Sequence, residues 1–162
     1  MSLKINIGID PGSSSGGMAL IVNYEGSEEI MLHEFKKMTE KDIVDKLRYI
    51  TSIKHENGCD VFAYLESVHS FPKQGISSAF VFGQNFGFLK GALTSLLIPY
   101  ELITPQSWIK QFGMKKDKDE SKGEWKRRLR EKAEMLYPKL KITANTADAL
   151  LIAHVCKINN FK

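Results

Sequence analysis

Cysteine is scarce in this chain: Cys59 and Cys156 are the only two in 162 residues, far apart and outside any metal-type pairing. That excludes a disulfide-built scaffold and a cysteine zinc site, and predicts two buried free thiols in a reducing compartment. Neither thiol has an activating base near it in sequence, so a cysteine nucleophile is not expected. Also missing is any apolar run long enough to cross a bilayer, and a membrane partner is not expected. The first apolar stretch follows a single lysine and is broken by Asp10 and Pro11, which is not the pattern of a signal peptide. The expectation is a cytoplasmic chain forming one domain over 1–162, large enough to bury a core without staples.

What the chain does have is positive charge in one place. Residues 108–141 carry 12 Lys and Arg against 6 Asp and Glu, leaving 11 against 13 in the remainder. A basic third on a near-neutral body suggests a polyanionic partner. A solvated helix face accounts for the same charge equally well, so charge does not decide.

Apolar periodicity sets the order of elements. Strands are predicted over 4–9, 18–23 and 29–35, joined by short Gly- and Ser-rich turns as two successive hairpins. A helix over 39–54 follows, with Thr39 as its N-cap. A short buried strand over 61–65 then delivers Glu66 at its end. The helix over 77–97 is apolar on more than one face, which predicts packing on two sides. A fifth strand spans 100–103, and Pro105 opens a helix holding Trp108. Residues 115–123 read as a mobile, charge-dense loop. A basic amphipathic helix over 124–136 and a final apolar helix over 145–158 close the chain. This order predicts an α/β fold with a five-stranded mixed sheet flanked by helices.

Three carboxylates stand at element ends against apolar sequence. Asp10 follows Ile7-Gly8-Ile9, Glu66 follows Ala63-Tyr64-Leu65, and Asp148 precedes Ala149-Leu150-Leu151-Ile152. A carboxylate at the edge of a buried segment is costly unless a cation compensates it. Parallel neighbouring strands would bring Asp10 and Glu66 together, and the last helix can add Asp148. Oxygen-only ligands suit Mg²⁺ or Mn²⁺, and two such ions roughly 3.5–4 Å apart can drive phosphodiester hydrolysis. Taken singly, a turn Asp, a strand-end Glu and a helix-first-turn Asp are all ordinary, so the pattern alone leaves both readings open.

The ordered set carries more. Gly8-Ile9-Asp10-Pro11-Gly12-Ser13, Leu65-Glu66-Ser67-Val68-His69 and Thr146-Ala147-Asp148-Ala149-Leu150-Leu151-Ile152-Ala153 resemble the motifs of RuvC-type Holliday-junction resolvases. The stretch from Phe71-Pro72-Lys73-Gln74-Gly75 through Ser77-Ser78, then Ile98-Pro99-Tyr100 and Thr104-Pro105-Gln106-Ser107-Trp108, is similar to the phage and phage-like branch. The resemblance implies a ribonuclease-H-like fold and a homodimer through the helix over 77–97. It implies Mg²⁺-dependent nicking of paired strands at a four-way junction, in a bacterial host cell if phage-encoded. Asp10 would bridge two ions, with Glu66 and Asp148 holding one each.

Two positions depart from that pattern. The family usually has a fourth acidic or His ligand three or four residues before the last Asp, where this chain has Asn145 and Ala144. On the predicted helix Asn145 shares a face with Asp148, at i and i+3, and could lend a carbonyl oxygen but no charge. Weaker metal binding, a ligand from elsewhere, or an inactivated junction binder are the three outcomes compatible with Asn145. Where relatives can carry an aromatic beyond the Glu, this chain has His69, with Phe71 nearby; either could stack on an unpaired base. The expected DNA contacts are Lys73, Gln74, Ser77 and Ser78 beside the acid centre, and Lys110, Lys115, Lys116 and Lys118 in the basic third. A broader branched-DNA or flap nuclease is the remaining alternative.

Overall fold

The structure is a computed structural model; it describes residues 3–67 and 75–160, excluding the side chains of residues 54–57. His69, Phe71, Lys73 and Gln74 lie outside the described residues.

Strict alternation makes β1 (Lys4–Asp10) two-faced. Ile5, Ile7 and Ile9 enter one core with Met18 and Leu20 of β2 (Gly17–Tyr24) and Val61, Ala63 and Leu65 of β4 (Asp60–Glu66). The residues between them face the opposite side, as the period of two requires. β3 (Ser27–Glu34) is joined to β2 by a two-residue turn, Glu25-Gly26, with both residues at positive φ. That geometry matches the twist of the hairpin it closes. Phe35 belongs to the short 3-10 turn Phe35–Lys37 and not to the strand, and is buried in the core.

The sheet order is β3-β2-β1-β4-β5, with β5 at Tyr100–Ile103. β1 pairs antiparallel with β2 and parallel with β4, and β4 pairs parallel with β5. Because Ile9 lies opposite Leu65, the C-terminal ends of β1 and β4 stop side by side. The mixed five-stranded sheet of the sequence reading is therefore the observed one.

Helices cover both faces. α1 (Glu40–Asn57) starts at a reciprocal cap, in which the Thr39 N–H donates to Asp42 and the Asp42 N–H donates to the Thr39 hydroxyl. With α2 (Ile76–Ser95) it closes the isoleucine face. α3 (Pro105–Lys110), α4 (Lys122–Leu136) and α5 (Ala147–Asn159) close the other, around Trp108, Leu129, Leu150 and Ile152. α5 lies directly on β1, because a Cβ on Gly8 would stand 2.2 Å from the Ala149 carbonyl oxygen and the Ala153 nitrogen. Only glycine permits that approach.

Three expectations need correction. The last helix begins at Ala147, because Thr143 and Thr146 close a turn through Thr143 N–H to Thr146 Oγ1 (3.1 Å) and Ala147 N–H to Thr143 O (3.1 Å). Asn145 sits in that turn and not on the face of α5. The basic helix starts at Lys122, where Ser121 and Glu124 form a capping box. The charged connector before it is tied down, since Arg128 donates to both oxygens of Glu120 at 2.9 Å, and Glu120 accepts from the Asp117 N–H.

Candidate metal centre

Strand parity aims Asp10 and Glu66 at the face that α5 covers. Asp10 continues the Asn6, Gly8 series of β1, and Glu66 continues the Phe62, Tyr64 series of β4. α5, seated on Gly8, places Asp148 in its first turn on that same face. Both Glu66 and Asp148 are buried, and Asp10 is partly buried.

Each carboxylate is held differently. Glu66 Oε1 accepts from the indole Nε1–H of Trp108 at 2.8 Å. Asp10 Oδ1 accepts a long bond from the Gly12 N–H, 3.4 Å. Asp148 Oδ2 is bonded to the Lys126 ammonium, while its Oδ1 is buried with no hydrogen-bond partner among the described residues. A buried carboxylate oxygen without a donor is costly, and it marks where a cation would be welcome.

The electrostatics agree. Burial pushes the Asp10 carboxyl up to about 6, and Asp148 adds to the rise, against Lys126 and the Gly12 N–H. Burial also pushes Glu66 up to about 7, helped by Asp10 and Asp148 and opposed by the Trp108 bond and Lys126. Burial alone would lower the Lys126 ammonium, but Asp148, Asp10 and Glu66 together hold it above its ordinary value. The centre is thus three mutually repelling carboxylates around one lysine. Among the described residues no three Asp, Glu, His or Cys side chains are gathered closely enough to hold a metal ion as they stand. The all-oxygen donor set, the excess negative charge and the unpartnered Asp148 Oδ1 nonetheless fit a hard divalent cation.

No protein-family model matches the sequence, and no curated protein matches it. Solved structures do. The Thermus thermophilus RuvC structure superposes with a TM-score of 0.52 at 16% identity, covering 98% of this chain and 96% of that one. T. thermophilus RuvC in complex with a Holliday junction substrate gives a TM-score of 0.54 at 15% identity, covering 99% and 96%. The chain has a ribonuclease-H-like fold.

Within this ribonuclease-H-like fold the other expected residues fall in distinct places. Ser77 and Ser78 line a cleft of about 420 Å³ whose opposite wall is Ser13, Ser14 and Ser15 of the β1–β2 turn. That turn is clamped to α2 by Asn85, whose side-chain amide donates to the Pro11 carbonyl. Lys110 is exposed at the end of α3, and Lys115, Lys116 and Lys118 are exposed on the connector that Arg128 fastens. Asn145 presses its backbone carbonyl against Gly17, 2.7 Å from where a Cβ would be, and no hydrogen bond among the described residues joins it to the acid centre.

Sequence reasoning missed two members of the centre. Lys126 was one of several basic residues on an amphipathic helix, and only its spacing to buried Leu129 and Ala133 signals that it faces inward. Trp108 reads as core and is core, but its N–H also anchors Glu66. A buried indole must find an acceptor, and that requirement was the available signal.

Proposed function

We propose that this chain is a metal-dependent, structure-selective endodeoxyribonuclease that resolves four-way DNA junctions by phosphodiester hydrolysis. The observation that carries the reading is the acid centre itself: Asp10 and Glu66 at adjacent strand ends and Asp148 in the first turn of α5, on a ribonuclease-H-like fold, with Asp148 Oδ1 buried and unpartnered among the described residues. Asp10, Glu66 and Asp148 would hold Mg²⁺ or Mn²⁺, which supplies an activated water and charge stabilisation at the leaving oxygen. Trp108 fixes the Glu66 carboxylate, and the Gly12 N–H helps orient Asp10. The motif likeness to the phage-type branch of junction resolvases supports the substrate.

The DNA path in this reading runs from the serine-lined cleft past the acid centre to the exposed lysines of α3 and the connector. Ser77 and Ser78 would meet phosphate with the first-turn N–H groups of α2, and Lys110, Lys115, Lys116 and Lys118 would add positive charge. His69, Phe71, Lys73 and Gln74, outside the described residues, are proposed as further DNA contacts from the sequence.

A two-fold homodimer is part of the proposal. On its own sheet α2 fully buries Leu89, Ala92 and Leu93 and partly buries Phe86 and Phe88. It leaves Ile76, Phe80 and Val81 exposed, and Gly83, Gly87 and Gly91 open at successive turns. An apolar face with small residues every fourth position suits close packing on a second copy, and two-fold symmetry suits paired strands.

Incubating the protein with a synthetic four-way junction and Mg²⁺ or Mn²⁺ should give paired symmetric nicks. Robust cutting by an Asp10→Asn protein would contradict the assignment. Two observations favour a second reading, a junction binder with weak catalysis: Asn145 brings no charge, and Lys126 bonds one Asp148 oxygen. In that case junctions are bound tightly and barely cut, and Asn145→Asp restores cleavage.

A further inference from the structure

We infer that Asn85 is a positioning residue: from α2 it pins the turn that carries Gly12, and so keeps the Asp10 carboxylate oriented for a divalent ion. This rests on the reading of Asp10 as a metal ligand, and adds the side chain that holds that ligand ready.

The sequence of α2 singles Asn85 out. The stripe that α2 turns to the sheet runs through Phe86, Leu89, Ala92 and Leu93, all apolar. Asn85 lies one turn before Leu89 and is half-buried. An amide placed there is costly unless it is hydrogen-bonded. Its partner is the Pro11 carbonyl, which accepts from the Asn85 side-chain amide. Pro11 is itself buried, so its carbonyl needs a donor as much as the amide needs an acceptor. An apolar side chain at this position would lengthen the stripe and lose that bond.

The turn, for its part, needs an anchor from outside. It is built backbone on backbone: the Gly16 N–H donates to the Gly12 carbonyl at 2.7 Å, and a Cβ on Gly16 would collide with the backbone of Asp10 and Gly12. Between these glycines stand Ser13, Ser14 and Ser15, all exposed, and none is an apolar side chain that could dock the turn on the core. Gly12 is the link to the acid centre. Its N–H donates to Asp10 Oδ1 at 3.4 Å, a long bond that a small shift of the turn would break. The Asp10 backbone is fixed as the last residue of β1, opposite Gly17. Its carboxylate can still turn about the side-chain torsions unless Gly12 holds it. Asn85 therefore acts on Asp10 through Pro11 and Gly12, and a ligand oriented in advance loses less freedom when the ion arrives.

The test compares wild type with Asn85→Leu, which is close to the amide in size and suits the apolar stripe but cannot donate. Asn85→Ala repeats the loss of the donor in case the leucine disturbs packing, and melting curves check the fold of each. Two measurements are made on the DNA-free protein: hydrogen exchange without metal, and a Mn²⁺ titration near pH 8 followed by electron paramagnetic resonance of the free ion. In the variants the amides of residues 12–16 should exchange roughly three- to tenfold faster, the ratio one hydrogen bond is worth, while α4 keeps wild-type rates. Mn²⁺ should bind more weakly by a similar factor, because the competent arrangement of Asp10 is less populated. Exchange at 12–16 unchanged in both variants would overturn the inference, and so would faster exchange with wild-type Mn²⁺ affinity. Either result leaves the metal-ligand reading of Asp10 standing. No Mn²⁺ bound by the wild-type protein would remove that reading, and the inference with it.

Discussion

At the scale of single residues, the acid centre works against the stability of the metal-free protein. Asp10 is raised from an ordinary 3.8 to about 6 and Glu66 from 4.5 to about 7, chiefly by burial. An acid whose folded value is raised favours the folded chain below its unfolded value and loses that contribution as pH rises through the folded value. In EDTA, stability should therefore fall between about pH 4 and pH 7 as these groups ionise. Asp10→Asn removes one of them and should stabilise the metal-free protein by about 1–3 kcal/mol at pH 8, with almost no effect at or below pH 4. Urea melts at the two pH values check this, and an Asp10→Asn protein less stable than wild type at pH 8 would contradict it. Trp108→Phe removes the N–H that favours ionised Glu66, so Mn²⁺ binding by that variant should require higher pH. A binding-versus-pH curve unchanged from wild type would mean the indole bond does not tune Glu66.

At the scale of elements, the centre depends on how closely α5 lies on β1. A side chain at Gly8 would meet the Ala149 carbonyl at 2.2 Å, so Gly8→Val must push α5 off the sheet and carry Asp148 with it. A stability loss of about 1–3 kcal/mol or more is expected, with cleavage lost as well. A Gly8→Val protein with wild-type melting and activity would show that α5 is not seated there.

The strands that build this arrangement were legible in the sequence, because period-two apolar patterning and short hairpin turns depend on local residues. So were Asp10, Glu66 and Asp148 as carboxylates at element ends, and the Thr39 and Pro105 helix starts. The start of α5 was not, because Asn145 through Asp148 read as helix and only the Thr143–Thr146 hydrogen bonds hold that turn short of it. The connector before α4 has no apolar periodicity and so read as mobile; the Arg128–Glu120 pair, eight residues apart, supplies the anchor instead. The role of Lys126 was hidden for the same kind of reason. Its partner Asp148 is 22 residues on, and the helical spacing of Lys126 to Leu129 and Ala133 shows only that it faces inward, not what it meets there.

At the scale of the whole molecule, charge and exposed apolar surface divide the labour. The basic third carries exposed lysines, and α2 leaves Phe80, Val81 and the Gly83, Gly87, Gly91 row exposed, the face proposed for self-association. Phe80→Glu should weaken the proposed dimer without unfolding the chain, since Phe80 is 65% exposed. Sedimentation at several concentrations reads this directly, and a wild-type protein that stays monomeric throughout would remove the dimer from the proposal.

In the proposed function, the centre formed by Asp10, Glu66 and Asp148 cuts branched DNA with the help of a divalent ion. The most direct measurement is one cleavage experiment on a four-way junction, a fork and a linear duplex, with Mg²⁺ or with EDTA. The prediction is paired nicking of the junction in Mg²⁺, slower or no cutting of the linear duplex, and none in EDTA. Cutting that persists in EDTA, or linear duplex cut as fast as the junction, would contradict it.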